Sequence, residues 1–463
     1  MSSDGQGSGI VERVRSLHRG QQLALAVAVA YLLFLGAGAA TAPAPAGSPV
    51  DGGDRAGAND SGYGDRTTLI GLQGPFTGRE GYAMLVSGDL VQQWRSGESW
   101  ANFDVTPLAD GRVLTAFIEK GATDCGEYSP PCPRTGFRIY DVANGTLDRE
   151  WTFPVARTHN SEVHDVEPLP TGEILVVDMV AERVFAVDPS GEVTWEWHAG
   201  AFYEAPENPG GQDWLHMNDV DRIGEGRYLV SVRNANQLLV VERGEGVVEV
   251  INADDGGSDG TCLDEGRRLV PGADGDVRCG NPGVIHDQHN PQWLGEGRVL
   301  VADSENDRIT ELRERNGSWR PAVNYTGAGG VPFNWPRDAD LLENGNLLIT
   351  DTFNNRVVEI DRNGTLVWSA RTGKGSIPYE ADRMPHGEYP PGVLNRTAGN
   401  WTVPPGGSVS QPERVEIPGV SLLFTTLVGT VPVPYWVTQW HLLGFLVALP
   451  ACLGGLLWAR YTR

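Results

Sequence analysis

Lysine is nearly missing from this sequence: Lys120 and Lys374 are the only two, so arginine carries almost all the positive charge. Acidic residues number 60 against 36 basic ones, a formal net charge of −24. A phosphate backbone needs a basic face, so this balance argues against nucleic acid as a partner. Close-spaced metal-ligand sets are also missing. There is no CxxC pair and no HExxH helix, and no glycine loop of the kind that cradles nucleotide phosphates. The expectation is therefore no metal and no cofactor.

Cysteine is scarce but placed informatively. Cys125 and Cys132 bracket one short loop, Cys262 and Cys279 bracket another, and Cys452 lies in an apolar tail. Two local pairs read as two disulfides, whereas a zinc site would require all four to converge. Sequons at Asn59, Asn144, Asn316, Asn324, Asn363, Asn395 and Asn400 agree with an oxidising, glycosylating exterior.

Residues 22–42 carry no charge, are long enough to cross a bilayer and follow Arg13, Arg15 and Arg19. They form a transmembrane helix or signal anchor, and the small residues Ala39 to Ala42 also suit a cleavage site. Residues 439–459 form a second such span, ending in Arg460 and Arg463, with Trp436, Trp440 and Trp458 as interfacial anchors. Both arginine clusters on the inner side would put both termini in the cytoplasm and the body of the chain outside the cell membrane. The expected organisation is a cytoplasmic segment 1–20, a span 21–42, a flexible tether 43–65, a repeat domain 66–370, a Pro-rich arm and linker 371–437, a span 438–459 and a cytoplasmic tail 460–463.

Within 66–369 one pattern recurs: an acidic or amide residue, a short apolar step, a turn glycine, two β-runs joined by a polar turn, and a tryptophan. Copies begin FDVTPLADGRVLTAF at 103, HDVEPLPTGEILVVD at 164, NDVDRIGEGRYLVSV at 218, HNPQWLGEGRVLVAD at 289 and RDADLLENGNLLITD at 337, with a looser copy at 67. A repeat of about 50 residues with four short strands is the unit of a β-propeller, because one such sheet cannot bury both faces until neighbours stack on it. The fold class expected is all-β, a six-bladed propeller flanked by N- and C-terminal transmembrane helices.

Aligned on Gly111, Gly172, Gly226, Gly297 and Gly345, the copies put Phe103, His164, Asn218, His289 and Arg337 at one equivalent position, eight residues earlier. Equivalent positions near the innermost strand converge on the propeller axis. His216 flanks the same rim. A histidine that opens a strand also serves simply by bonding to the neighbouring blade, which suits His159, His198 and His286; Arg337 could equally pair with Asp338 or Asp340. A ring of imidazoles with arginine suits metal ligation or the transfer of a tetrahedral oxyanion, and the missing carboxylate ligand motifs favour the oxyanion.

The segments HDVEPLPTGEILVVD, DWLHMNDVDRIGEGRYLVSVRNANQLLVVE and HDQHNPQWLGEGRVLVAD resemble the arylsulfotransferase (aryl-sulfate sulfotransferase) family over about residues 100–370. The resemblance implies a six-bladed propeller that moves a sulfuryl group from an aryl sulfate to a phenol without a nucleotide donor. It implies that His164, His216 and Arg233 hold the sulfuryl oxygens and that His289 becomes transiently sulfated; Asn218 and Arg337, at the repeat-equivalent position, are further candidates for substrate binding. The acidic, lysine-poor composition is similar to that of salt-loving archaeal proteins. TFNNRVVEID, near 352, is also similar to NHL-type repeats, implying instead a non-catalytic binding propeller; a metal-dependent hydrolase or lactonase is a third reading.

Overall fold

The computed structural model describes residues 17–41, 48–50, 66–74, 81–209, 213–254, 269–273, 275–373, 376–388, 419–420, 423–424 and 437–462. Two compact units divide the chain, one from the terminal segments and one spanning residues 45–411.

The larger unit is a propeller of six antiparallel sheets. Its innermost strands are Pro378–Arg383, Ala101–Pro107, Val163–Pro168, Met217–Gly224, His289–Gly295 and Asp338–Leu341, and successive ones touch around a closed ring. Blade 1 takes its inner strand, Pro378–Arg383, from far along the chain and pairs it with Thr68–Leu72. The ring is thus closed by residues that the sequence reading assigned to the arm beyond 370. A short parallel strand, Ser48–Pro49, adds to the outside of blade 6.

Most second and third strands are apolar without alternation, and the packing gives the reason. In blade 4, Leu239 and Val241 pack with Val177, Val184 and Trp197 of blade 3, while Leu238 and Val240 pack with Trp293, Val299 and Val301 of blade 5. Successive side chains of a strand point to opposite faces, and here both faces are covered, so both registers must be apolar. Each junction between neighbouring blades has its own apolar layer, including the one joining blade 6 to blade 1 through Leu348, Val357, Ile70 and Met84.

Each repeat glycine occupies the turn after an inner strand. Gly111, Gly172, Gly226, Gly297 and Gly345 all have φ between 65° and 86°, the left-handed region where a Cβ is costly. A second recurring device closes the next turn. Asp178–Arg183, Asp303–Arg308 and Asp351–Arg356 are ion pairs at 3.0, 2.6 and 2.7 Å that tie the end of the second strand to the start of the third.

Cys125 and Cys132 form a disulfide across the loop joining the second and third strands of blade 2. Cys279 is buried and disulfide-bonded, while Cys262 lies outside the described residues, as do the sequons at Asn59, Asn395 and Asn400.

The smaller unit contains helices Arg19–Thr41 and Gln439–Tyr461, each long and apolar enough to cross a membrane. They pack antiparallel through small residues. A Cβ on Gly20 would stand 2.2 Å from the Gly455 carbonyl oxygen, and one on Gly455 would meet Gly20 and Ala24. Close backbone approach of this kind is how helices associate where no hydrophobic effect drives them together. Leu32, Leu33, Val447 and Leu453 remain more than half exposed on the pair, an outward surface suited to lipid.

Candidate functional site

The inner strands bring the repeat-equivalent residues together at one level of the axis, and closure of blade 1 adds Tyr379 as the sixth. The Tyr379 ring is the hub. Its centroid lies 5.3 Å from Phe103, 5.4 Å from His164 and 6.0 Å from His289, and the Arg337 guanidinium stands over it at 4.9 Å. His216, two residues before its strand partner Asn218, reaches the same cluster with its ring 5.3 Å from His164. His164, His216, His289, Arg337 and Tyr379 are all buried.

His289 opens its strand. Its Nδ1 lies 3.0 Å from the Asp287 carbonyl oxygen and 2.9 Å from Ser304 Oγ, whose own hydroxyl donates to the Pro336 carbonyl at 2.7 Å. A carbonyl only accepts, so Nδ1 carries the proton and Nε2 of the neutral ring has a free lone pair. Burial, with the nearby positive charges of Arg337 and Arg233, holds the His289 pKa well below its ordinary value.

His164 Nδ1 is 2.7 Å from the Tyr379 hydroxyl, and its Nε2 is 3.9 Å from Glu162. Burial, then His216 and Arg337, likewise keep this imidazole neutral. His216 takes a left-handed backbone conformation, φ 53°, held by Glu182, whose carboxylate accepts the N–H groups of Leu215, His216 and Met217 at 2.9–3.2 Å. Its Nδ1 pairs with Asp213 at 2.8 Å. Burial lowers the His216 pKa and Asp213 raises it, with burial prevailing. An anion arriving near this ring would tip it toward the imidazolium form.

Arg233 sits where the Asp–Arg latch of other blades is missing: Val232 and Gln237 replace the latch residues, and Arg233 pairs with Asp287 at 3.1 Å. Burial opposes its charge, but Asp287 and Asp213 hold its pKa up. Arg337 donates to Gln73 Oε1 at 2.5 Å rather than to Asp338 or Asp340, and burial lowers its pKa to about 10. Buried Nε atoms of both arginines have no hydrogen-bond partner. Donors held dry in this way suit an anionic ligand.

Asn218 is fully buried and spends its amide N–H on the Gln288 carbonyl at 2.9 Å, steadying the segment that leads into His289. Trp335 lies beside His289 at 6.0 Å, stacks near Phe353 at 4.6 Å and has an unusual φ of 51° for so large a residue. Elsewhere, His159 meets Trp100 and the half-exposed His198 lies near Glu196. The His286 backbone N–H donates to Asp303. Among the described residues, no cluster of three His, Cys, Asp or Glu is arranged to hold a metal ion.

The sequence reading did not single out Glu162, Asp213, Asp287, Ser304, Trp335 or Tyr379. Glu162, Asp213, Asp287 and Trp335 lie two or three residues before a candidate histidine or arginine, a weak mark in sequence, whereas Ser304 and Tyr379 have none.

Fold and site together define a six-bladed β-propeller whose axis carries a buried cluster of imidazole and guanidinium groups. Residues 147–325 match the family described as Arylsulfotransferase (ASST), a span that contains His164, His216, Asn218, Arg233 and His289. The match covers less than half of the chain and supports an arylsulfotransferase enzyme. No curated protein matches the chain. Among solved structures, a protein of unknown function from Bacteroides caccae is 15% identical with a TM-score of 0.45, over 68% of this chain and 98% of its own. The periplasmic gluconolactonase PpgL of Pseudomonas aeruginosa is 12% identical, with a TM-score of 0.41 over 68% and 98%. A catalytically inactive virginiamycin B lyase from Staphylococcus aureus is 10% identical, with a TM-score of 0.39 over 68% and 89%.

Proposed function

We propose that the protein transfers a sulfuryl group from an aryl sulfate ester to a phenolic acceptor through a sulfo-histidine formed on His289, without a nucleotide donor. The observation that carries this reading is the Asp287 carbonyl on His289 Nδ1, which leaves Nε2 as a free nucleophile among His164, His216, Arg233 and Arg337.

In the first half-reaction the Nε2 lone pair forms a bond to sulfur while the bond from sulfur to the aryl oxygen breaks, its electrons leaving on that oxygen. The ring becomes positive and the group on it remains an anionic sulfonate. The Asp287 carbonyl stabilises that positive ring through Nδ1–H. Arg233, Arg337 and a protonated His216 hold the sulfuryl oxygens, where charge must stay balanced through the transition state. Trp335 offers an aromatic wall for the aryl ring, and its proximity to His289 and Arg337 supports that role. In the second half-reaction a phenol oxygen attacks the same sulfur and returns His289 to its neutral form.

We further infer that the two apolar helices anchor the chain and that the propeller faces outward; the flanking arginines, the sequons and the disulfide support this orientation. A donor-driven reaction that needs no nucleotide suits that side.

The test is release of a chromogenic phenol from its sulfate ester, with and without a phenol acceptor. The unaltered chain should show a burst and acceptor-stimulated turnover, and His289→Asn should lose both. Full transfer by His289→Asn would sink the proposal.

A further inference from the structure

A leaving phenolate has an ordinary pKa near 10, so its departure is slow unless something protonates it. Neither His289, whose only proton faces the Asp287 carbonyl, nor the paired Arg233 is suited to give one. Another group meets the need. Glu162 immediately precedes the inner strand of blade 3 and is buried, with Oε2 3.9 Å from His164 Nε2, a gap that one water or a small carboxyl rotation spans. The opposite nitrogen of the same imidazole is 2.7 Å from the Tyr379 hydroxyl. Carboxyl, imidazole and phenol are therefore linked in sequence, and the phenol lies at the hub of the ring, beside His289.

We propose that Glu162, His164 and Tyr379 form a proton relay that protonates the leaving aryl oxygen and recovers a proton from the acceptor phenol. This inference rests on the sulfo-histidine reading and deepens it.

As the bond from sulfur to the aryl oxygen breaks, the Tyr379 hydroxyl gives its proton to that oxygen. The Tyr379 oxygen takes a proton from His164 Nδ1, and His164 Nε2 takes one from the Glu162 carboxyl. A neutral phenol departs, Glu162 is left ionised, and His164 has changed tautomer. When the acceptor phenol attacks, its proton travels back through Tyr379 and His164 to Glu162. One proton leaves and one returns, so the cycle needs no other acid or base. Glu162 touches no substrate and acts through its partners, whereas Tyr379 is the catalytic residue of the relay.

The surroundings of Glu162 suit a proton store. Burial pushes its pKa up to about 7, opposed by the backbone N–H of Ser161, which donates to Oε2 at 2.7 Å. The negative charge of Asp213 pushes in the same direction as burial, and the positive charge of Arg157 opposes it. Arg337 also feels Glu162, and His164 faces it directly. The two half-reactions then carry opposite signs. Release of a basic phenol needs the carboxyl protonated and falls as pH rises through about 7, whereas acceptor attack needs it ionised and rises over the same range.

The experiment compares unsubstituted phenyl sulfate, whose phenol is a poor leaving group, with nitrophenyl sulfate, whose phenolate leaves unaided. Glu162→Gln should slow the burst from phenyl sulfate about 10²-fold more than the burst from nitrophenyl sulfate. It should also erase the fall of the phenyl sulfate burst above about pH 7. Equal slowing of both donors overturns the relay. If Glu162→Gln is inactive toward both, Tyr379→Phe asks the same question by removing the hydroxyl and keeping the ring; equal slowing there also overturns it. Failure of the unaltered chain to transfer from either donor overturns the sulfo-histidine reading, and the relay with it.

Discussion

His289 and Ser304 meet through a 2.9 Å contact at Nδ1, although His289 opens the inner strand of blade 5 and Ser304 begins the turn after its second strand. Ser304 occupies the position that follows the latch aspartate Asp303, where blades 3 and 6 carry Met179 and Thr352. A structural turn thus lends one hydroxyl to hold the imidazole, and that hydroxyl is itself fixed by the Pro336 carbonyl.

Ser304→Ala removes this support and leaves the Asp287 carbonyl to set the tautomer alone. Sulfuryl transfer should fall by roughly 10-fold, the equivalent of about one net hydrogen bond, with unfolding little changed. Pre-steady-state burst rates measure it, and an unchanged burst would show that Asp287 suffices.

Asp213→Asn tests whether His216 meets the donor as a cation. The Asp213 pKa is lowered to about 2 against the pull of burial, so it is ionised at working pH and favours the charged form of its partner. Without that charge the His216 pKa drops further. The KM for aryl sulfate should rise roughly 10-fold at alkaline pH and recover as the pH is lowered far enough to protonate the ring. A KM profile across that range decides the matter; a rise independent of pH would assign Asp213 a merely structural role.

The fold was legible because the repeat imposes it: each turn glycine with its left-handed φ and each doubly apolar strand recurs in register with the blade. Arg233 was legible only through the family resemblance, because blade 4 gives up the Asp–Arg latch there and no repeat spacing marks the residue. Tyr379 was not legible, because a strand beyond the last repeat closes the ring and no spacing announces which residue lands on the axis. Glu162 was hidden by composition. In a chain with 60 acidic residues, one carboxylate two positions before a histidine carries no signal until burial separates it from the solvated rest.

The latch pairs make a stability prediction. Arg356 and Asp351 are both fully buried and joined at 2.7 Å. Arg356→Ala leaves a buried carboxylate without its partner and should cost about 3–5 kcal/mol. Arg227→Ala breaks an exposed pair with Glu296 and should cost about 0–1 kcal/mol. Urea unfolding of the two variants reads the difference, and similar losses would contradict it.

Alongside the imidazole ring, the next positions of the inner strands carry Asp104, Asp165, Asp219, Asn290, Asp338 and Glu380. Three of these carboxylates tie blades together by accepting neighbouring backbone N–H groups: Asp104 from Val166 at 3.3 Å, Asp165 from Val220 at 2.6 Å and Asp338 from Ala381 at 3.0 Å. Burial, reinforced by their neighbours' charges, raises the pKa values of Asp104, Asp165, Asp219 and Glu380 well above the usual carboxylate range, and burial brings Asp338 to about 7. The sign of the consequence follows from linkage. A carboxyl whose folded pKa is raised binds more protons in the folded state between its unfolded and folded values, so stability falls as pH rises through that window. For Asp338 the window runs from about 4 to about 7, with a slope near 1.4 kcal/mol per pH unit for each proton retained. The chain should therefore melt at a lower temperature at pH 8 than at pH 5, and Asp338→Asn should narrow that gap by raising the melting temperature mainly at pH 8. Thermal unfolding at the two pH values checks both statements, and a melting temperature that rises with pH would show that these carboxyls are ionised in the fold.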